Sequence, residues 1–153
     1  MSNLLSKETR DSLSSEFLRW LRIVEDHSHG LIEEHLKPFG LSLSQGFLFG
    51  LIADHALKGA APLQKDLERD MRLVTSSITN LVQGLERKGL IFRRDSVKDG
   101  RAKELHMTEE GWRVREELGR HVSDWEGALT KALSDAELAT AVRLLRKMGS
   151  GYE

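Results

Sequence analysis

The pattern that most limits this chain is a helical apolar stripe that ends at a glycine and gives way to a two-residue period. Val74, Ile78, Leu81, Val82 and Leu85 stand at offsets 0, 4, 7, 8 and 11, the spacing of one helix face. Arg87 and Lys88 follow, where a helix dipole favours cations, and then Gly89, suited to the left-handed residue that closes a helix. From Leu90 to Arg94 the residues become β-branched and aromatic, and in Lys103 to Met107 the apolar Leu105 and Met107 share a face at period 2. Asp95 to Gly100 between them is turn chemistry ending in Asp99-Gly100. The spacing predicts a helix from Val74 to about Lys88, followed at once by a β-hairpin.

The flanking sequence keeps the helical period. Phe17, Trp20, Leu21 and Val24 follow i, i+3, i+4, i+7, which predicts one helix from about Lys7 to Leu36, stopped by Pro38 and Gly40. A second helix is expected from about Ser44 to His55, with Ser42 or Ser44 as its cap. After the connector Gly59 to Ala61, Pro62 suits the first turn of a short third helix striped by Leu63, Leu67 and Met71. Thr108 opens a long helix carrying Val114, Leu118, Val122, Trp125 and Leu129, a seam that needs a partner helix. Ser134-Asp-Ala-Glu137 reads as a capping box for a last helix that Gly149 closes.

A short helix, a tight turn and a second helix form a helix-turn-helix, and the hairpin makes it winged. The expected class is mainly α with a small β-hairpin wing. It forms a single domain over 1–153, with a winged helix-turn-helix lobe at 41–107 and long terminal helices at 7–36 and 108–149. The seams of the terminal helices have no place in so small a core, so their expected partner is a second copy of the chain.

Composition narrows the function. The 153 residues contain no cysteine, which excludes a disulfide framework, a thiolate zinc finger and a Cys nucleophile. The opening MSNLLSKETRDS predicts no secretory leader, and the longest apolar run, Phe47 to Ala53, is too short to cross a membrane. A cytoplasmic protein is expected. No Walker loop, GxSxG elbow, HExxH or dinucleotide fingerprint occurs, so an enzyme is not expected. The net charge of −1 argues against coating nucleic acid by bulk charge. Its distribution reverses that inference. Glu86 to Lys103 holds seven basic and three acidic residues, a net of +4, while the remainder holds 16 basic and 21 acidic, or −5. Basic charge concentrated in the wing is a phosphate-binding footprint.

The segment Leu81-Val-Gln-Gly-Leu-Glu-Arg-Lys-Gly-Leu-Ile91, then Arg93-Arg94-Asp95, Lys98-Asp99-Gly100-Arg101-Ala102-Lys103 and Leu105-His-Met-Thr-Glu-Glu-Gly111, resembles the MarR family of bacterial transcriptional regulators. The resemblance is strong from about Leu63 to Gly111; the flanking helices agree in order and length. One departure is Val74, where many relatives place a polar cap. The resemblance implies an obligate homodimer, a pseudo-palindromic double-stranded DNA site and repression relieved by a small ligand. Family effectors, often aromatic or lipophilic acids, bind between the dimerisation helices and the DNA-binding lobe. Trp20, His27 and Phe47 are the pocket candidates here.

The residues expected to carry DNA binding follow from chemistry. Thr75, Ser76, Ser77, Thr79, Asn80 and Gln83 make a short polar face opposite the apolar stripe. Asn and Gln can bond adenine edges, and Ser and Thr bond bases or phosphates. Arg93, Arg94, Lys98 and Lys103 are expected on the flanking backbone, with Arg101 near the wing tip in the minor groove. Asp99 and Gly100 would shape the turn, and Gln64 and Lys65 are further phosphate contacts. Two alternatives remain. One is a winged-helix protein-interaction module. The other is a zinc-responsive regulator, since His27 and His35 could share a helix face. No histidine has another at i+4, however, and no metal site is expected.

Overall fold

The computed structural model describes residues 6–96, 100 and 102–150, with side chains for these except 122–125. In chain order it contains α1 (Lys7–Leu36), a 3-10 turn (Lys37–Phe39), α2 (Leu43–Leu57), α3 (Gln64–Met71), α4 (Thr75–Arg87), β1 (Ile91–Asp95), β2 (Lys103–Met107), α5 (Glu109–Thr130) and α6 (Asp135–Gly149). The chain divides into two compact units, Met1–Leu118 and Gly119–Glu153. The expected class holds: the described residues are mostly helical, with one two-stranded antiparallel hairpin among them.

α1 runs 30 residues from a cap in which the Ser6 hydroxyl accepts the Thr9 N–H at 3.2 Å. It ends where Pro38 enters the 3-10 turn and Gly40 turns left-handed at φ 62°. Ser42 caps α2 in a full capping box with Gln45, which selects it over Ser44. Leu48, Phe49, Ile52 and Ala53 of α2 are buried. They meet Leu67 of α3, Ile78, Val82 and Leu85 of α4, Ile91 and Leu105 of the wing, and Val114 of α5 in one core. Each fully buried Leu or Ile contributes about 1.5–3 kcal/mol relative to exposure. That core orients α3, α4 and the wing.

Several boundaries shift by a residue or two, and at two of them the residue takes another role. Pro62 does not begin α3, whose N-cap is Leu63. It precedes the helix, and its carbonyl accepts the Leu105 N–H at 3.0 Å while Leu63 bridges Glu104. Proline has no N–H to give a ladder but keeps an acceptor, so this residue serves the edge of β2. Leu90 likewise belongs to the helix end rather than to β1. Its N–H bonds the Leu85 carbonyl, and its own carbonyl accepts from Thr108.

Helices α2, α3 and α4 close with the same motif. The N–H of the left-handed residue reaches back three residues, and the next N–H reaches back five. Gly59 and Gly89 fill the left-handed position after α2 and α4, at φ 77° and 69°. After α3, in the turn of the helix-turn-helix, the residue is Arg72 at φ 53°.

Thr108 starts α5 by accepting the Gly111 N–H at 2.9 Å while its hydroxyl donates to the Gly89 carbonyl at 2.6 Å. A Cβ at Gly111 would lie 2.1 Å from the Leu90 carbonyl oxygen, so the helix can approach the wing base only with glycine there. Gly46 has a similar role, since a Cβ would collide with Leu36; this assigns the Gly46-x-x-x-Gly50 spacing to packing at its first glycine. In the second unit, Ser134 and Glu137 make the expected capping box. The Ser134 hydroxyl, then its backbone N–H, holds the Glu137 carboxyl below its usual range.

Candidate nucleic-acid interface

α3 and α4 are joined by Arg72, Leu73 and Val74 and pack through Leu67, Ile78 and Val82. With its stripe buried, α4 presents the opposite face to solvent. Ser76, Asn80, Gln83 and Arg87 are all exposed. Their offsets of 0, 4, 7 and 11 set them in one line along the helix. Ser77 and Thr79 are half-buried at the margin. Arg87 was absent from the expected contacts. Its place in the exposed line, one period beyond Gln83, is the signal that identifies it.

Part of the expected polar face is committed to bracing. The Gln64 Nε2 donates to the Thr79 hydroxyl at 2.8 Å, and the Thr75 hydroxyl donates to Glu68 at 3.0 Å. Two residues expected at DNA on α4, and one on α3, thus tie the two helices to each other. Lys65 is exposed. Val74 gives α4 no side-chain cap, so its first-turn amides keep no side-chain acceptor.

The wing pairs Ile91 with Met107, Phe92 with His106, Arg93 with Leu105, Arg94 with Glu104 and Asp95 with Lys103. Alternation puts Arg93 on the face of Ile91 and Leu105, toward the core. Its Nε lies 3.2 Å from Glu86 Oε2 on α4. Arg94 is exposed. Lys103 is ion-paired with Asp95 across the strands. Gly100 lies in a turn, exposed. Lys98, Asp99 and Arg101 lie outside the described residues. The Phe92 and His106 rings stack at 5.3 Å on the outer face of the wing.

The pocket candidates are all exposed in the single chain. Trp20 is 53% exposed and Phe47 46%; His27 is exposed as well. Phe47 meets His29, edge to face at 6.3 Å. An open cavity of about 870 Å³ lies elsewhere, between the α2–α3 connector, the outer wing face and Trp112, and none of the three lines it. Among the described residues no group of three or more His, Asp or Glu side chains could hold a metal ion. No single described helix is long and apolar enough to cross a membrane. Away from the interface, the His55 ring bonds Asp70 at 3.2 Å between α2 and α3, which holds the Asp70 carboxyl below its usual range.

Comparison with known proteins agrees with this geometry. The MarR family profile matches residues 39–102. A Thauera aromatica protein named for transcriptional regulation of the hcr operon is 36% identical over 85 residues, 56% of this chain. The match covers 51% of that protein, so the chain spans about half the length of this relative. The structure of the S. aureus MepR–DNA complex superposes with a TM-score of 0.78 at 25% identity, over 88% of this chain and 97% of that one. A MarR family transcriptional regulator from Rhodococcus sp. RHA1 gives 0.75 at 26% identity, over 89% and 95%. CouR from Rhodococcus jostii RHA1, bound to p-coumaroyl-CoA, gives 0.72 at 26% identity, over 89% and 93%. With helix-turn-helix, wing and flanking helices in place, the chain has the winged helix fold of these regulators, and its residues 39–102 match the MarR family.

Proposed function

We propose that the chain is a sequence-specific, double-stranded DNA-binding transcriptional regulator. It acts in the cytoplasm as a homodimer on a pseudo-palindromic operator, as a repressor released by a small aromatic or lipophilic effector. The observation that carries this reading is the exposed line Ser76, Asn80, Gln83 and Arg87 on a helix whose other face is buried beside a cationic wing. Short polar side chains let a helix sit deep in a major groove, and Asn and Gln can bond adenine edges. Arg87 and Arg94 would meet the flanking phosphates, and Arg101 the minor groove. Thr75, Thr79 and Gln64 act one step back, by fixing the pose of α4 through the bonds to α3.

The homodimer is supported by α1, whose Phe17, Trp20, Leu21 and Val24 are all exposed in the single chain. Two copies would set two recognition helices about one turn, roughly 10 bp, apart. An effector would release DNA by binding better to a dimer with another spacing. MepR with DNA and CouR with p-coumaroyl-CoA are relatives whose bound partners fit both halves of this reading.

A gel shift on duplex from the region upstream of the protein's own gene tests it. Specific binding is expected, with Gln83→Ala altering base preference. Arg94→Ala should reduce the salt slope by about one phosphate contact. Failure to bind any duplex at low salt would favour a protein-interaction module.

A further inference from the structure

We propose that Glu86 and Arg93 are positioning residues that set the angle between the recognition helix and the wing, rather than contacts with DNA. This rests on the DNA-binding reading above. α4 ends at Arg87 and β1 begins at Ile91, so only Lys88, Gly89 and Leu90 join them. The direction of the wing therefore depends strongly on Gly89, left-handed at φ 69°. A glycine is the softest pivot a chain can have.

The Glu86–Arg93 contact spans that pivot. Glu86 is in the last turn of α4 and Arg93 is the third residue of β1, and their charged groups meet at 3.2 Å. The opposite edge of the wing has its own attachment, through Pro62 and Leu63 to β2. Each strand is thus tied to a different helix, β2 to the lead-in of α3 and β1 to α4.

The state of Arg93 argues against a phosphate role. Its side chain is 28% exposed and its partner's 30%. Nε and Nη2 are buried and make no hydrogen bond among the described residues. The guanidinium is held by the nearby carboxylate charge, not by aligned bonds. Removing that carboxylate leaves a partly desolvated cation without its counter-charge, which favours its moving outward. The wing it belongs to then loses its fixed angle.

The two possible roles predict opposite signs for one substitution. If Arg93 were a phosphate contact and Glu86 a bystander, Glu86→Gln would remove an anion near DNA and tighten binding. If the pair is a strut, Glu86→Gln weakens binding, because wing contacts are lost. The experiment measures affinity and salt slope of the full-length chain for the upstream duplex, with thermal melting of each free protein. Glu86→Gln and Arg93→Met are each expected to weaken binding by about tenfold or more and to lower the salt slope by about one to two contacts. The double variant should be no worse than either single one. The exchange Glu86→Arg with Arg93→Glu should restore affinity to within a few-fold, which a phosphate contact at Arg93 could not do. Each variant should remain folded at the assay temperature, which its own melting curve reads. Wild-type binding with unchanged or tighter Glu86→Gln binding, or no recovery in a folded exchange variant, overturns the strut alone. A wild-type chain that binds no duplex overturns the DNA-binding reading and this inference with it.

Discussion

α4 and α1 both carry amphipathic stripes, yet they end in opposite environments. α4 has 13 residues and buries Ile78, Val82, Gly84 and Leu85. α1 has 30 residues and buries Leu36 alone, at its last position. The difference shows that a helical stripe specifies a helix and the side of it that avoids water, but not what covers that side. The α4 stripe meets α2, α3 and the wing of its own chain. Much of the α1 stripe, from Leu13 to Val24, meets nothing comparable in the single chain. The lobe has its own core in one copy, whereas the α1 stripe from Leu13 to Val24 stays exposed there.

The largest expected effect tests the α1 side of this contrast. Phe17→Asp with Leu21→Asp should convert a two-chain species to a single chain in sedimentation equilibrium. Operator affinity should fall by roughly 10²–10⁴-fold, since two linked half-sites gain about that much by avidity. A persistent two-chain mass would break the comparison. The next effect tests the lobe. Leu67 is fully buried, so Leu67→Ala should lower the unfolding free energy in urea by about 2–5 kcal/mol. In the dissociated background, Trp20→Ala should leave the same transition within about 0.5 kcal/mol, although it removes a larger side chain. Equal losses would show that the Trp20 stretch of α1 packs on the lobe after all.

Helix ends give smaller effects. Ser134→Ala should remove about 1 kcal/mol from the second unit, read as lost ellipticity on heating. Arg72→Gly should raise the lobe's stability by up to about 1 kcal/mol, because it replaces a left-handed L-residue with glycine. The smallest effect is electrostatic. Asp70 is held below its usual range, chiefly by the His55 hydrogen bond. Its contribution is therefore present above the unfolded carboxylate value and lost as pH falls through the folded one. The fall in melting temperature between about pH 5 and about pH 3 should shrink in His55→Ala.

Much of the candidate site's framework was legible because its signals are local. Offsets from Val74 to Leu85 located α4, Gly89 its end, and period 2 the wing. Charge counting found the cationic segment, although the whole chain carries −1. What escaped was partnership between elements. No local rule joins Gln64 to Thr79 or Thr75 to Glu68, fifteen and seven residues apart in sequence. These residues are polar and near the groove face by spacing, so spacing alone counts them as readers. Arg93 reads as a wing cation until pairing with Leu105 puts it on the core side. Pro62 reads as a helix opener until its carbonyl is found serving β2.

The sequence by itself determined the helices, the Ser134 cap of the last one and the wing, because periodicity, capping chemistry and glycine turns act over a few residues. It also determined which helix face is polar and where basic charge collects. Tertiary structure decided which polar groups remain available. A hydroxyl or guanidinium offers the same chemistry wherever it stands, and only the approach of another element commits it. That approach spends Thr75, Thr79 and Gln64 on the joint between α3 and α4. It sets Arg93 against Glu86, and leaves Ser76, Asn80, Gln83 and Arg87 facing outward.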